Sequence, residues 1–245
     1  ITALLLKNKF KIINTFGGSD LLGSSNNSIY WNTRNFITKI FSLYTAKKVD
    51  HVIVKSESLF NILRDKIKTP ISILPNGVDL KVFKEINNKQ KLRNKLSFET
   101  DEFVVLFNSR RENSKLESVK NFDLAKKTIK SLKLKTKKKV ILKIISNKSQ
   151  SQINELFNAA DCLLLTSFHE GSPNIIKEAM AANFPIVSVD VGDVNERLKT
   201  CFNCYVSNRY CDDELSDLLL KVLCVNQRTN GRNKLIDQNL SFSLP

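Results

Sequence analysis

Residues 162–197 read CLLLTSFHEGSPNIIKEAMAANFPIVSVDVGDVNER. Cys162–Leu165 is continuously apolar, as expected of a strand covered on both faces. It runs into a polar loop holding His169, Glu170 and Gly171, and Gly171 permits close approach of backbone to a ligand. Ser172 is a good helix cap and Pro173 suits the first helical position, so a helix is predicted over Pro173–Asn183. Ile175, Ile176, Ala179 and Met180 share one face of it and should pack on a sheet. Asn174, Lys177, Glu178 and Ala181 share the other. A second strand, Ile186–Val189, follows. Strand, loop, helix and strand in this order make a βαβ unit of a parallel sheet. Ligands of such sheets bind outside the carboxyl ends of strands, which is where this loop lies. The free N–H groups opening the helix suit a phosphate.

The same rhythm extends outward in both directions. Upstream, strands are predicted at Lys11–Phe16, His51–Lys55 and Ile71–Leu74, with helices over 33–48 and Ser56–Lys66, the latter capped by Ser56 or Ser58. The first strand ends in the loop Gly17-Gly18-Ser19-Asp20, and the third in Pro75-Asn76-Gly77, a turn signal. Residues 83–100 are polar and rich in Lys and Asn, with a linking helix around Asn88–Leu96. A domain boundary belongs there, giving residues 1–85 and 86–245. The second part then holds strands Phe103–Phe107, Val140–Ile145, Cys162–Thr166, Ile186–Val189 and Cys204–Val206. Helices Phe122–Leu134, Gln152–Ala160, Pro173–Asn183 and Asp213–Leu223 alternate with them. The expected fold class is α/β, with two Rossmann-like doubly wound domains. The first, with three strands, is incomplete as an independent sheet.

Composition narrows the function classes. With 39 Lys and Arg against 24 Asp and Glu, the net charge of the 245 residues is +15. The densest basic run, Lys133–Lys143, has no interleaved aromatic residues for stacking bases, so a nucleic-acid partner is not expected. A phosphorylated substrate or an anionic membrane leaflet fits the basic surface better. No stretch approaches the ~18 continuous apolar residues of a membrane-spanning helix. Five Cys is a low, odd count, which argues against a disulfide scaffold and for a reducing compartment. The chain begins with Ile1 and shows no signal-peptide n-region, so it reads as a fragment or a trimmed chain.

Glu170 and Glu178 are the candidate ligand carboxylates. Eight residues apart, one before the helix and one inside it, they can engage hydroxyls along one elongated ligand beside the helix N-terminus. Either Glu alone would read as a solvated helix residue or a partner of the helix dipole. The run Glu170-Gly171-Ser172-Pro173 with Glu178, after a buried strand, favours function. Asp190 and Asp193 flank Gly192 and read as a turn rather than a metal site. Cys201-x2-Cys204 lacks a second pair or a nearby His, so zinc is not expected. His51 opens a strand and reads as structural, whereas His169 stands in the ligand loop.

The segment EGSPNIIKE resembles the E-x7-E region of the retaining glycosyltransferases of family 4, the group 1 transferases. PIVSVDVGDVNERL is similar to that family's next strand and loop. ILPNGVDLKVF (Ile73–Phe83), KNFDLAKKTI (Lys120–Ile129), DHVIVKSESL and NTFGGSDLLG resemble further segments in the same order. The resemblance implies a GT-B fold, with a C-terminal domain holding a nucleotide-diphosphate sugar and an N-terminal domain holding the acceptor. By that carry-over Glu178 binds ribose hydroxyls and Glu170 the hydroxyls of the donor sugar. Gly171 and Ser172 offer backbone N–H groups, with Pro173, Asn174 and His169 beside them. Gly18 and Asp20 lie on the acceptor side. Lys120 matches the family's diphosphate Lys, and Arg110 or Arg111 its Arg, Arg111 being placed with Lys120 and Glu170 in the catalytic set. Two such cations stabilise the leaving diphosphate without a metal or other cofactor. The implied function is retaining transfer of a hexosyl group from a nucleotide sugar to a glycan or lipid-linked acceptor. It would take place at the cytoplasmic face, with peripheral membrane contact. The alternative is a non-catalytic nucleotide-sugar-binding fragment or an inactive relative.

Overall fold

A computed structural model describes residues 10–22, 29–109 and 119–242. Its chain divides into two compact units. The first comprises residues 1–77 together with 168–173 and 191–193, and the second comprises 78–167, 174–190 and 194–245.

The first unit is a three-stranded parallel sheet of β1 (Ile13–Phe16), β2 (His51–Val54) and β3 (Ile71–Ile73), in that order. Register pairs Phe16 with Val54 and Val54 with Ile73. Helix α1 (Ser19–Leu22) follows β1, α2 (Ile29–Lys48) leads to β2, and α3 (Glu57–Leu63) leads to β3. Ser56 caps α3 by accepting from the Leu59 N–H, which settles the choice between Ser56 and Ser58. Phe16, Ala46, Val52, Val54, Leu59 and Leu63 make the core.

The second unit opens with residues 78–86, fastened by side-chain amides. The Lys84 and Ile86 N–H groups donate to Asn154 and Asn158 at 3.1 and 2.8 Å. Helix α4 (Lys89–Lys95) precedes a five-stranded parallel sheet. Its strands are β4 (Glu102–Asn108), β5 (Lys139–Ile145), β6 (Cys162–Leu165), β7 (Ile186–Val189) and β8 (Cys204–Ser207), in the order β5-β4-β6-β7-β8. Helices α5 (Phe122–Lys135), α6 (Gln150–Ala159), α7 (Asn174–Ala181) and α8 (Val194–Leu198) connect them, followed by α9 (Asp212–Val225) and α10 (Gly231–Phe242). Every residue of β6 and β7 is buried, Ser188 of β7 included, as in strands covered on both faces. The chain leaves β4 for β5 on one side and then crosses to β6 on the other. The strand order therefore reverses between β4 and β6, and the crevice outside their carboxyl ends is the expected ligand position.

Three elements depart from the sequence reading. Helices α1, α8 and α10 were not anticipated. Of these, α10 packs on α7. The α7 face that carries Asn174, Lys177, Glu178 and Ala181 is partly covered, and Lys177 is 1% exposed and Ala181 fully buried.

Candidate functional site

In the second unit, the residues at the switch point are held by backbone contacts. Thr166, fully buried just after β6, donates its hydroxyl toward the carbonyls of Lys120 and Asn121, at 2.9 and 3.0 Å. Lys120 precedes α5, whose cap Asn121 sits at φ 52 and accepts from the Leu124 N–H. The turn carrying Lys120 is thus tied to the end of β6. Ser167 is also fully buried, and its carbonyl accepts from the Tyr210 hydroxyl at 3.2 Å. Arg110 and Arg111 lie outside the described residues.

On α7, Asn174 is exposed and Glu178 half-buried. Burial pushes the Glu178 carboxyl above its ordinary value, opposed by the neighbouring Lys177 ammonium. A carboxylate held partly out of water exchanges its lost hydration for any hydroxyl donor offered to it, which suits recognition of vicinal hydroxyls.

The first unit contains the loop 168–173. His169 is exposed, Glu170 half-buried, and Gly171 and Pro173 buried. The backbone here is packed against backbone. A Cβ on Gly171 would stand 2.5 Å from the Gly17 oxygen, and one on Gly18, at φ +132, would stand 3.1 Å from the Gly171 nitrogen. The Ser172 hydroxyl, expected to cap α7, instead donates to the Asp193 carboxylate at 2.7 Å. This side chain therefore fixes the loop to residues 191–193. Asp20 accepts from the Gly17 N–H at 3.0 Å and so shapes the glycine turn that ends β1. Its side chain also lines a cavity of about 450 Å³ with Asn14, Phe16, Ile37 and Thr45, open at the carboxyl end of β1.

Helix starts and loops at strand carboxyl ends are where α/β folds commonly take phosphate-bearing ligands. The sequence family described as glycosyl transferases group 1 matches residues 125–239, which run from α5 through most of α10. That stretch of the chain resembles a group 1 glycosyltransferase domain. Its fold is that of the GT-B glycosyltransferases. The structure resembles the sucrose-phosphate synthase of Thermosynechococcus elongatus with a TM-score of 0.75 at 16% identity, over 96% of this chain and 66% of that one. It resembles Anabaena HepE, solved in complex with UDP-glucose, with a TM-score of 0.73 at 16% identity, over 98% of this chain and 72% of that one. For S. aureus TarM, solved with UDP and alpha-GlcNAc-glycerol, the TM-score is 0.69 at 15% identity, over 95% of this chain and 48% of that one. The chain thus spans under two thirds of the synthase and about half of TarM. No curated protein matches it by sequence.

Within the group 1 domain, sequence reasoning singled out Glu178 and Asn174 by local spacing. It did not single out Thr166 and Tyr210, whose bonds to the Lys120 turn and to Ser167 form only through the fold. The lone signal for Thr166 was its place directly after an unbroken apolar strand.

Proposed function

We propose that this chain binds a nucleotide-diphosphate sugar and transfers its hexosyl group, with retention, to a glycan or lipid-linked acceptor. The observation that carries the reading is the half-buried Glu178 on α7 of a group 1 domain, with Glu170 eight residues earlier in the loop leaving β6. Glu178 takes the ribose hydroxyls and Glu170 the hydroxyls of the sugar. The N–H groups of Gly171 and Ser172 take sugar and phosphate oxygens, and Asn174, Pro173 and His169 complete that subsite.

Departure of the nucleoside diphosphate builds negative charge on its leaving oxygen, and stabilising that charge is the main electrostatic demand of the step. Lys120 meets it, together with Arg110 or Arg111, and needs no metal to do so. The tie from Thr166 to the Lys120 backbone supports this role, because a pre-positioned cation requires no reorganisation at the moment of reaction. Residues 1–85 are assigned to the acceptor, with Asp20 at the open cavity and Gly18 in the turn beside it, and residues 86–245 to the donor. UDP is the favoured nucleotide, since HepE and TarM were solved with it. A role in polysaccharide assembly at the cytoplasmic face agrees with the basic charge of +15. Among the described residues, no helix is long and apolar enough to cross a membrane.

Calorimetric titration with UDP, GDP and ADP tests the reading. One nucleotide should bind, and Glu178→Ala should weaken it by about tenfold or more, the loss of a paired, charge-assisted hydrogen bond. Binding of none of the three, or binding unchanged in the variant, removes the reading. Nucleotide binding without sugar transfer or hydrolysis would select the non-catalytic alternative.

A further inference from the structure

We propose that Asp193 is a positioning residue. By holding the Ser172 hydroxyl, its carboxylate sets the orientation in which Glu170, Gly171 and Ser172 meet the sugar of a nucleotide sugar. The inference rests on the donor-site reading given above, and no role in it has so far fallen to Asp193.

Three observations converge on it. The Ser172 hydroxyl donates to Asp193 at 2.7 Å, a charge-assisted bond of the stronger kind. Asp193 is 6% exposed, an environment that a carboxylate tolerates only when hydrogen-bonded. Gly192, at φ +63, presses on the same loop. A Cβ there would stand 2.6 Å from the Gly171 oxygen and 3.0 Å from the Glu170 oxygen. Residues 192 and 193 therefore grip the loop at adjacent points, one by backbone contact and one by a side-chain bond.

A loop that presents N–H groups and a carboxylate to a ligand depends on the contacts that fix its orientation. Misplacement of such groups by about 1 Å costs on the order of a hundredfold in rate, so an external clamp matters. The Asp193 carboxylate acts through Ser172 and not on the sugar, which distinguishes it from Glu170.

The test uses the full chain with Asp193→Ala, Asp193→Asn, Ser172→Ala and the double alanine variant. Hydrogen–deuterium exchange is followed over Phe168–Pro173, and Kd is measured for UDP and UDP-glucose. Asp193→Ala should speed exchange at Gly171 and Ser172 about tenfold while β6 and α7 stay within about twofold. It should weaken UDP-glucose about tenfold and UDP less than about twofold. Asp193→Asn keeps an oxygen for the Ser172 hydroxyl and should restore both. The double variant should be no worse than either single one.

Unchanged loop exchange in Asp193→Ala, or failure of Asp193→Asn to rescue, overturns the proposal. So does equal weakening of UDP and UDP-glucose. Wild-type protein that binds neither compound would instead overturn the donor-site reading, and the exchange comparison would still decide whether Asp193 holds the loop. If Asp193→Ala does not fold, Ser172→Ala and Asp193→Asn provide the same comparison.

Discussion

Thr166 and Lys120, 46 residues apart in sequence, are joined by a 2.9 Å hydrogen bond from the threonine hydroxyl to the lysine carbonyl, and the same hydroxyl also reaches the carbonyl of Asn121. The end of β6 thereby holds the turn that presents Lys120. Thr166→Val keeps the shape and removes the donor, leaving two carbonyls of this turn without it. The expected cost is about 1–2 kcal/mol of stability. UDP affinity should fall several-fold through the loosened lysine, whereas Thr166→Ser should preserve both. Chemical denaturation and calorimetry on the two variants check this.

This bond also marks how far the sequence could be read. Cys162–Leu165 announces a buried parallel strand because its apolar run is too short for a buried helix and leaves no face for water; β7 has the expected bounds Ile186–Val189, and β6 ends one residue before the expected Thr166. Glu170 and Glu178 could be proposed from sequence for a similar reason, since their relation is local and needs only a strand, a loop and a helix. Helix α10 was not legible, because GRNKLIDQNLSF has little amphipathic pattern. Its position depends on Arg232, which donates to the carbonyls of Phe83, Ala181 and Leu80. The clamp of Ser172 by Asp193 spans 21 residues and two loops, which no periodicity encodes. Lys177 shares a helix face with the exposed Asn174 and is buried all the same, which spacing alone does not show.

Glu178 should show function at odds with stability. Burial raises its carboxyl in the folded chain, so the folded state holds that proton to higher pH than the unfolded state. Between the two values the folded state binds more protons, and stability falls as pH rises through that window. Above it the buried charge is a standing cost, which Glu178→Gln removes. The variant should therefore unfold at a temperature equal to or above wild type at pH 7 and lose that advantage at pH 4. Its nucleotide affinity should drop about tenfold, by loss of charge-assisted hydrogen bonds. Thermal unfolding at both pH values, with a nucleotide titration, checks the pair of effects.

The glycines of the first unit should divide sharply. At Gly17 and Gly77 a Cβ meets nothing within 4 Å, so Ala should be tolerated there within about 0.5 kcal/mol. At Gly171 the new methyl would stand 2.5 Å from the Gly17 oxygen and 3.1 Å from a Leu59 methyl. Backbone cannot yield cheaply, and Gly171→Ala should cost about 1–3 kcal/mol by overpacking. Gly18→Ala adds strain to contact, because its φ of +132 disfavours any side chain. Thermal unfolding of the four variants should rank Gly17 and Gly77 near wild type and the other two well below.

Arg93 carries the last prediction. Residues 83–100 are polar, with a linking helix expected around Asn88–Leu96, yet Arg93 is 3% exposed. Its guanidinium donates to the carbonyls of Ala159, Glu99 and Glu102 and pairs with Asp161 at 3.3 Å. Asp161 in turn accepts from the Val104 N–H at 2.7 Å, so the network joins α4 to the starts of β4 and β6. A planar fork serves these acceptors in several directions, which an ammonium on a flexible stem cannot reproduce. Arg93→Met would leave buried carbonyls and a carboxylate without this donor, at a cost of about 3–5 kcal/mol. Arg93→Lys should recover part of that. Because these contacts lie at the amino ends of the strands, the variants should lower the unfolding midpoint while a chain that remains folded keeps its nucleotide Kd. Urea denaturation combined with calorimetry at low temperature separates the two effects, and a Kd that shifts with the midpoint held constant would contradict the assignment.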